Sequence, residues 1–254
     1  MRFSNKVGVV TGGANGIGRC IAEEFLIEGA SVAVIDMDED AGGRLVEDYG
    51  QERVLFLAAD IAVERSLNLF ADKVIKRYGQ VDFLINNACI SRKGILSRCS
   101  YEDFNYVLRV GVSAPYQLSR LFMDIFTENA AIVNISSTRA AMSQADTESY
   151  SAAKGGITAL THALSISLAG KVRVNSISPG WIDTTGMDEG ISKSDFLQHP
   201  VKRIGNPLDI AGMVKFLCSK EGSFINGENI TVDGGMSKLM IYHGEQGWNY
   251  TPEE

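Results

Sequence analysis

The 254-residue chain has little positive charge to spare: 24 Lys and Arg against 31 Asp and Glu leave a net charge of −7. Such a balance offers no broad electrostatic grip on DNA, RNA or anionic lipid, whose recognition begins with a basic face. The four cysteines, Cys20, Cys89, Cys99 and Cys218, lack CxxC spacing, and His162, His199 and His243 are equally dispersed. Neither a metal site nor a disulfide framework is expected, and reduced thiols are the simplest reading. No apolar run approaches the roughly 18 residues of a membrane span. The opening "MRFSNKVGVV" has no long apolar region and no small-residue cleavage site. The expectation is a cytoplasmic protein with no nucleic-acid or membrane partner.

What is present is a rhythm. Short runs rich in Val, Ile and Phe, "KVGVV", "SVAVID", "RVLFLAAD", "VDFLINNA", "AAIVNISS", "VRVNSISPG" and "NITVDGG", alternate with longer stretches of helical spacing. Seven strands are predicted. They are apolar throughout rather than alternating, as in a parallel sheet covered by helices on both faces. In "GIGRCIAEEFLIEGA", Ile17, Ile21 and Phe25 step by four, a stripe that packs on a sheet. The fold class is therefore α/β, doubly wound, with ligands bound beyond the strand C-termini. A single domain over 1–236 is expected, with 184–207 a substrate loop or lid because it is polar and interrupts the rhythm. Residues 237–254 form a C-terminal extension whose Met240, Tyr242, Trp248 and Tyr250 suit docking on a neighbour better than a free tail.

Directly after the first strand comes "TGGANGIG", Thr11 to Gly18, opening a helix. Gly12, Gly16 and Gly18, with Asn15 and Ile17 between them, permit a tight turn and close backbone approach to a pyrophosphate, whose charge the helix N-terminus favours. A plain glycine-rich turn has the same composition, but the strand before and the helix after favour a dinucleotide site. The second strand ends at Asp36, about 20 residues on, where a carboxylate can accept both adenosine ribose hydroxyls. It also repels a 2′-phosphate, and Ala14, Asn15 and Met37 supply no cation, so NAD is favoured over NADP. Asp60 ends the third strand, where it can accept from the adenine amino group or cap a helix, and Ile61 can pack on the ring.

In "ESYSAAKGG", Tyr150 and Lys154 stand four apart and share one face of a helix. A small-residue helix packed closely on a neighbour would carry the same alanines and glycines. Together "TGGANGIG", "NNA" at Asn86–Ala88, "NISS" at Asn134–Ser137, "YSAAK" and "SPGWIDT" resemble the short-chain dehydrogenase/reductase family over nearly the whole chain. The resemblance implies one Rossmann-type domain with a seven-stranded parallel sheet in a three-layer αβα sandwich, commonly a homodimer or homotetramer. It implies Tyr150 as general acid/base, Lys154 on the nicotinamide ribose and lowering the tyrosine pKa, and Ser137 bonding the oxygen of an alcohol or ketone substrate. It adds Asn87, Ala88, Pro179, Gly180, Ile182 and Thr184 to the NAD contacts, although Pro179 and Gly180 also serve to turn the chain. A free phenol titrates near ~10 and a neighbouring ammonium stabilises its phenolate, which fits the pairing.

Two departures stand out. Gly111 occupies the place where the family carries an asparagine that holds a relay water, and an extra water over Gly111 is the expected replacement. Cys89 follows "NNA" where the family has glycine. Read as a small buried hydrophobe it needs no special backbone, and no cation-rich motif supports a nucleophilic role. The expected function is NAD-dependent hydride transfer between nicotinamide and a secondary alcohol or ketone. The alternatives are a catalytically weak dinucleotide-binding sensor or assembly protein, and an NADPH-dependent 3-oxoacyl reductase. Arg92, Arg139, Met142 and Trp181 follow strand ends, where the arginines meet either a substrate anion or solvent.

Overall fold

In the computed structural model, residues 1–186, 191–245, 247 and 249 are described. Seven strands, β1 (Val7–Thr11), β2 (Ser31–Asp36), β3 (Val54–Ala58), β4 (Val81–Asn86), β5 (Phe126–Ile135), β6 (Val172–Pro179) and β7 (Asn229–Val232), form one sheet in the order β3-β2-β1-β4-β5-β6-β7. Every pairing is parallel. The chain winds outward from β1 to β3, then returns to lay β4 against the other side of β1. That reversal opens a crevice at the strand C-termini, where ligands bind in such sheets.

Helices cover both faces. Helix α1 (Gly16–Ile27), α2 (Glu39–Tyr49) and α8 (Pro207–Leu217) close one core, in which Ile21 and Phe25 of the predicted stripe are fully buried with Leu45, Ile210 and Val214. Phe3, Phe25 and Phe83 pack there with ring centroids 5.0–5.4 Å apart. Across the sheet, α3 (Glu64–Tyr78), α4 (Tyr101–Leu108), α5 (Ala114–Leu121) and α6 (Glu148–Ser167) enclose a second core around Phe70, Leu118, Phe122 and Ile132. A π-type turn, Arg109–Ser113, joins α4 to α5 and contains Gly111.

The strands depart from expectation at the edges. β7 alternates exposed and half-buried residues, since an edge strand has only one well-covered side. β5 begins earlier than "AAIVNISS" suggests: Phe126 pairs with Val81, and regular pairing resumes at Ala131 opposite Phe83 after a register shift near Asn129, which sits at φ 64°. Within 184–207, a short helix α7 (Lys193–Leu197) is capped reciprocally by Ser192 and Asp195, and residues 187–190 lie outside the described set. Met240 and Tyr242 of the extension are exposed, while Trp248 and Tyr250 fall outside the described residues.

A buried polar ladder crosses the second core. Asn86 Nδ2 donates to Asn134 Oδ1 (2.7 Å), Asn134 Nδ2 donates to Thr161 Oγ1 (2.9 Å), and the Thr161 hydroxyl donates to Ile157 O within α6. Asn134 is wholly buried, so each of these partners replaces water. Thr161→Val, similar in shape, should leave the Asn134 amide without its acceptor and cost about 1–3 kcal/mol in urea denaturation. A change within error would show that the ladder carries no net stability.

Candidate active site

The glycine turn after β1 is built as much by its neighbours as by itself. Gly12 adopts φ 63°, and a Cβ there would stand 2.8 Å from Ala88 Cα. At Gly18 a Cβ would meet Gly12 O at 2.0 Å and Asn87 Nδ2 at 2.5 Å. The third glycine therefore closes the turn on itself, which differs from the expected close approach to a ligand. Asn87 Nδ2 donates to Thr11 O and Gly12 O, and Thr11 Oγ1 accepts from the amides of Asn87 and Ala88. Sequence reasoning missed Thr11, whose hydroxyl locks the end of β4 to the end of β1.

Over this turn lies a cavity of about 340 Å³, lined by Gly12, Asn15, Ile17, Asp36, Asp60, Ile61, Asn87, Ala88 and Thr184 among the expected residues. None of its lining residues is Lys or Arg. Asp36, which lines the cavity, accepts from the amide of Ala14 at one oxygen (2.9 Å) and from that of Asp38 at the other (3.1 Å), and each oxygen keeps a further lone pair. Asp60 does not cap α3, whose N-cap is Val63; it accepts from the Ala62 amide in the turn before that helix (2.8 Å) and from the Tyr106 hydroxyl (3.0 Å). Tyr106, another wall of the cavity, carried no sequence signal. A glycine cradle that a side chain would fill and carboxylates at the end of β2 and after β3, around a cavity of about 340 Å³, fit a nicotinamide dinucleotide.

A second cavity, about 550 Å³, opens beyond β5 and β6. Ser137, Arg139, Met142, Gly180 and Trp181 line it, so Gly180 belongs to this wall and not to the dinucleotide cavity. Pro179 is buried at the end of β6. Ile182 likewise misses the dinucleotide cavity: its side chain packs on the first core, and its backbone bridges to Gly205. Arg92 reaches neither cavity, lying over the Tyr106 ring (5.5 Å) and 3.9 Å from Asp103.

Tyr150 lines neither cavity but neighbours a residue of each. Its hydroxyl lies near Ser137, on the second wall, and near the Cys89 thiol, on the first. Cys89 is exposed, not the buried hydrophobe expected, and its φ lies outside the left-handed region. The position therefore did not need glycine. Burial, followed by Cys89, pushes Tyr150 up to about 12, against the pull of Ser137 and Arg139. The expected lowering by Lys154 is not realised by the protein groups. Burial disfavours the charged form of Lys154 itself, whose Nζ lies 5.4 Å from the centroid of the Tyr150 ring and donates to Ile135 O (2.6 Å).

The strand-to-helix contact that fixes these groups is polar. Ser136 Oγ lies 3.0 Å from Lys154 O and 2.8 Å from Thr158 Oγ1, and Lys154 Nζ returns to the carbonyl of the residue preceding Ser136. Ser136 and Thr158 escaped sequence reasoning. Their signal was legible, because Tyr150, Lys154, Thr158 and Thr161 recur at spacings of four, four and three, one face of a helix. The space expected over Gly111 is taken: a Cβ there would stand 2.8 Å from Ala153 Cβ. Close packing of the π-type turn on α6 replaces the expected water.

A family described as enoyl-(acyl carrier protein) reductase matches residues 12–237. An uncharacterized oxidoreductase of Thermotoga maritima is 44% identical, over 94% of this chain and 99% of that protein. The 3-oxoacyl-[acyl-carrier-protein] reductase FabG of Chlamydia muridarum is 35% identical, over 92% and 98%. Among solved structures, an apo SCOR enzyme from Clostridium thermocellum superposes with a TM-score of 0.91 at 44% identity, covering 98% of this chain and 100% of that one. A blue fluorescent protein from a metagenomic library, in complex with NADPH, gives 0.87 at 28% identity, covering 93% and 100%.

Two measurements probe this geometry. Gly111→Ala should destabilise by about 1–3 kcal/mol through overpacking, and adding Ala153→Gly should recover part of that loss; strictly additive losses would show that the two positions do not touch. The raised phenol sets a pH dependence. The folded chain keeps a proton on Tyr150 that the unfolded chain loses near pH ~10, so its contribution to stability is complete below that value and lost as pH rises towards about 12. Tyr150→Phe should therefore lose stability less steeply than the parent across that window in urea titrations.

Proposed function

The chain belongs to the short-chain dehydrogenase/reductase family, and from that premise we propose that it is an NAD-dependent oxidoreductase interconverting a secondary alcohol and a ketone. The observation that carries this reading is the Tyr150 hydroxyl near Ser137 of the second cavity and Cys89 of the first, with Lys154 Nζ 5.4 Å from the centroid of its ring. A nicotinamide dinucleotide, held by the Gly12–Gly18 turn, Asp36 and the Asn87–Ala88 segment, supplies the hydride-exchanging ring when bound. Tyr150 exchanges the proton of the substrate hydroxyl, and Ser137 donates to the substrate oxygen as its charge develops. Lys154 holds the nicotinamide ribose with the N–H groups not given to Ile135. Its charge acts on Tyr150 most strongly once the crevice is filled and water is excluded.

Asp36 supports NAD over NADP. A 2′-phosphate at the end of β2 would meet this carboxylate with Asp38 beside it, and no lining cation to offset them. The second reading, an NADPH-dependent 3-oxoacyl reductase, draws on the name of the Chlamydia muridarum relative and on the NADPH-bound neighbour. A catalytically weak sensor or assembly protein is disfavoured by the intact set of Ser137, Tyr150 and Lys154. We further propose a homodimer or homotetramer, for which the exposed Ala152, Ala159 and Ala163 of α6 offer a small-residue face, with the exposed Ile166 beyond them. The proposed cellular setting is the cytoplasm; among the described residues no helix is long and apolar enough to cross a membrane.

Equilibrium titration with both dinucleotides, followed by cofactor reduction over a panel of alcohols, tests the proposal. NAD should bind more tightly, and Tyr150→Phe should lower kcat by about 100-fold or more. Tighter NADP binding would overturn the cofactor assignment, and turnover indifferent to Tyr150→Phe would overturn the mechanism.

A further inference from the structure

The second cavity carries an unused cation. Arg139 lies in the short turn Thr138–Ala140 immediately after β5, two residues beyond Ser137, and its backbone amide donates to Ser137 Oγ (3.2 Å). The arginine is thus held in register with the group assigned to the substrate oxygen. Its guanidinium donates to the neutral Gln144 amide oxygen, and among the described residues no carboxylate forms an ion pair with it. Among the described residues, the only other charged one lining this cavity is Asp195 of α7. One oxygen of Asp195 accepts both the amide and the hydroxyl of Ser192 (2.7 Å each), a capping duty at the start of its own helix. Arg139 also bears electrostatically on the Tyr150 hydroxyl.

We propose that Arg139 is the anion-recognising residue of the substrate site, and that the substrate is a short secondary alcohol or ketone bearing a carboxylate: a hydroxy acid and its oxo acid. The inference deepens the function proposed above and rests on it. Five N–H groups in a planar fork match a carboxylate, and only one is engaged by Gln144. A half-buried guanidinium facing a polar cavity gains most from an anion that completes its donors. The remaining walls, Met142, Trp181 and Met236, suit a short apolar chain between the carboxylate and the reacting carbon. With Arg139 the one cation and Asp195 the one carboxylate among the described lining residues, this cavity favours a monoanion over a phosphate dianion.

The test compares 3-hydroxybutyrate with its methyl ester in the parent, Arg139→Met and Arg139→Lys proteins, each with saturating dinucleotide. The parent should prefer the acid in kcat/KM, and Arg139→Met should cut the acid-to-ester ratio by about 10- to 100-fold, as expected for loss of a charged hydrogen bond. Arg139→Lys should restore part of the ratio. Any effect of the missing charge on Tyr150 is shared by both substrates and cancels in that ratio. Calorimetric titration of butyrate into the parent and Arg139→Met proteins supplies a readout that needs no turnover: butyrate should bind the parent at least about tenfold more tightly. Equal use of acid and ester by the parent, equal use of neutral polyols, or a ratio unmoved by Arg139→Met would overturn the inference. Should no substrate be turned over by any protein, the dehydrogenase reading fails, while equal butyrate binding by both proteins would by itself defeat the role of Arg139.

Discussion

The site depends on the polar joint between the end of β5 and helix α6. Apolar contacts alone would let a helix slide on a sheet, because they are indifferent to small shifts along its axis. Directional bonds from Asn134 to Thr161, from Ser136 to Lys154 O and Thr158, and from Lys154 Nζ back to Ile135 O fix both the rotation and the height of α6. The joint can be polar because it is buried and satisfied; the same groups left unpaired would each cost about 1–3 kcal/mol. Its product is the placement of Tyr150 beside Ser137, two side chains 13 positions apart in sequence and on different elements.

The opposite side of the crevice follows a different logic. There the backbone turns sharply and the side chains that matter are short: Thr11 and Asn87 tie two strand ends together, and glycine keeps the turn clear. Negative charge is concentrated where the adenosine half of a dinucleotide would lie, through Asp36 and Asp60, while the cation Arg139 sits across the site in the other cavity. The two cavities are thus electrically distinct, and Tyr150 neighbours one residue of each, Cys89 and Ser137. Burial of that phenol with a thiol at its side favours its protonated form. For Tyr150 to act as the base in the function proposed above, a nearby cation, of the dinucleotide or of Lys154, would have to offset that burial.

The departures from the family pattern are accommodated in different ways. Gly111 is explained by packing, since Ala153 occupies the volume a side chain would need and the wide turn Arg109–Ser113 brings the two backbones close. Cys89 stands at the mouth of the dinucleotide cavity, exposed and in contact with Tyr150. Each replacement touches α6 or the residue it presents, which makes the surroundings of Tyr150 the part of the molecule where this chain differs most from what the family motifs imply.

The sequence by itself determined the layers and the outline of the site. Seven apolar runs separated by helical stripes dictated a parallel sheet covered on both faces, and glycines between a strand and a helix, an acidic residue at the next strand end and Tyr150 four before Lys154 marked the crevice. These features are local, set by spacing and by the residue's own chemistry. Only the tertiary structure decided which long-range partners each polar group would find. It gave Gly18 to the turn and Ile182 to the core, Asp60 to the turn before α3, Gly111 to Ala153, and Arg139 but not Arg92 to the second cavity. Those choices depend on distances between elements far apart in the chain, and a pattern of spacings carries no information about them until the sheet has closed.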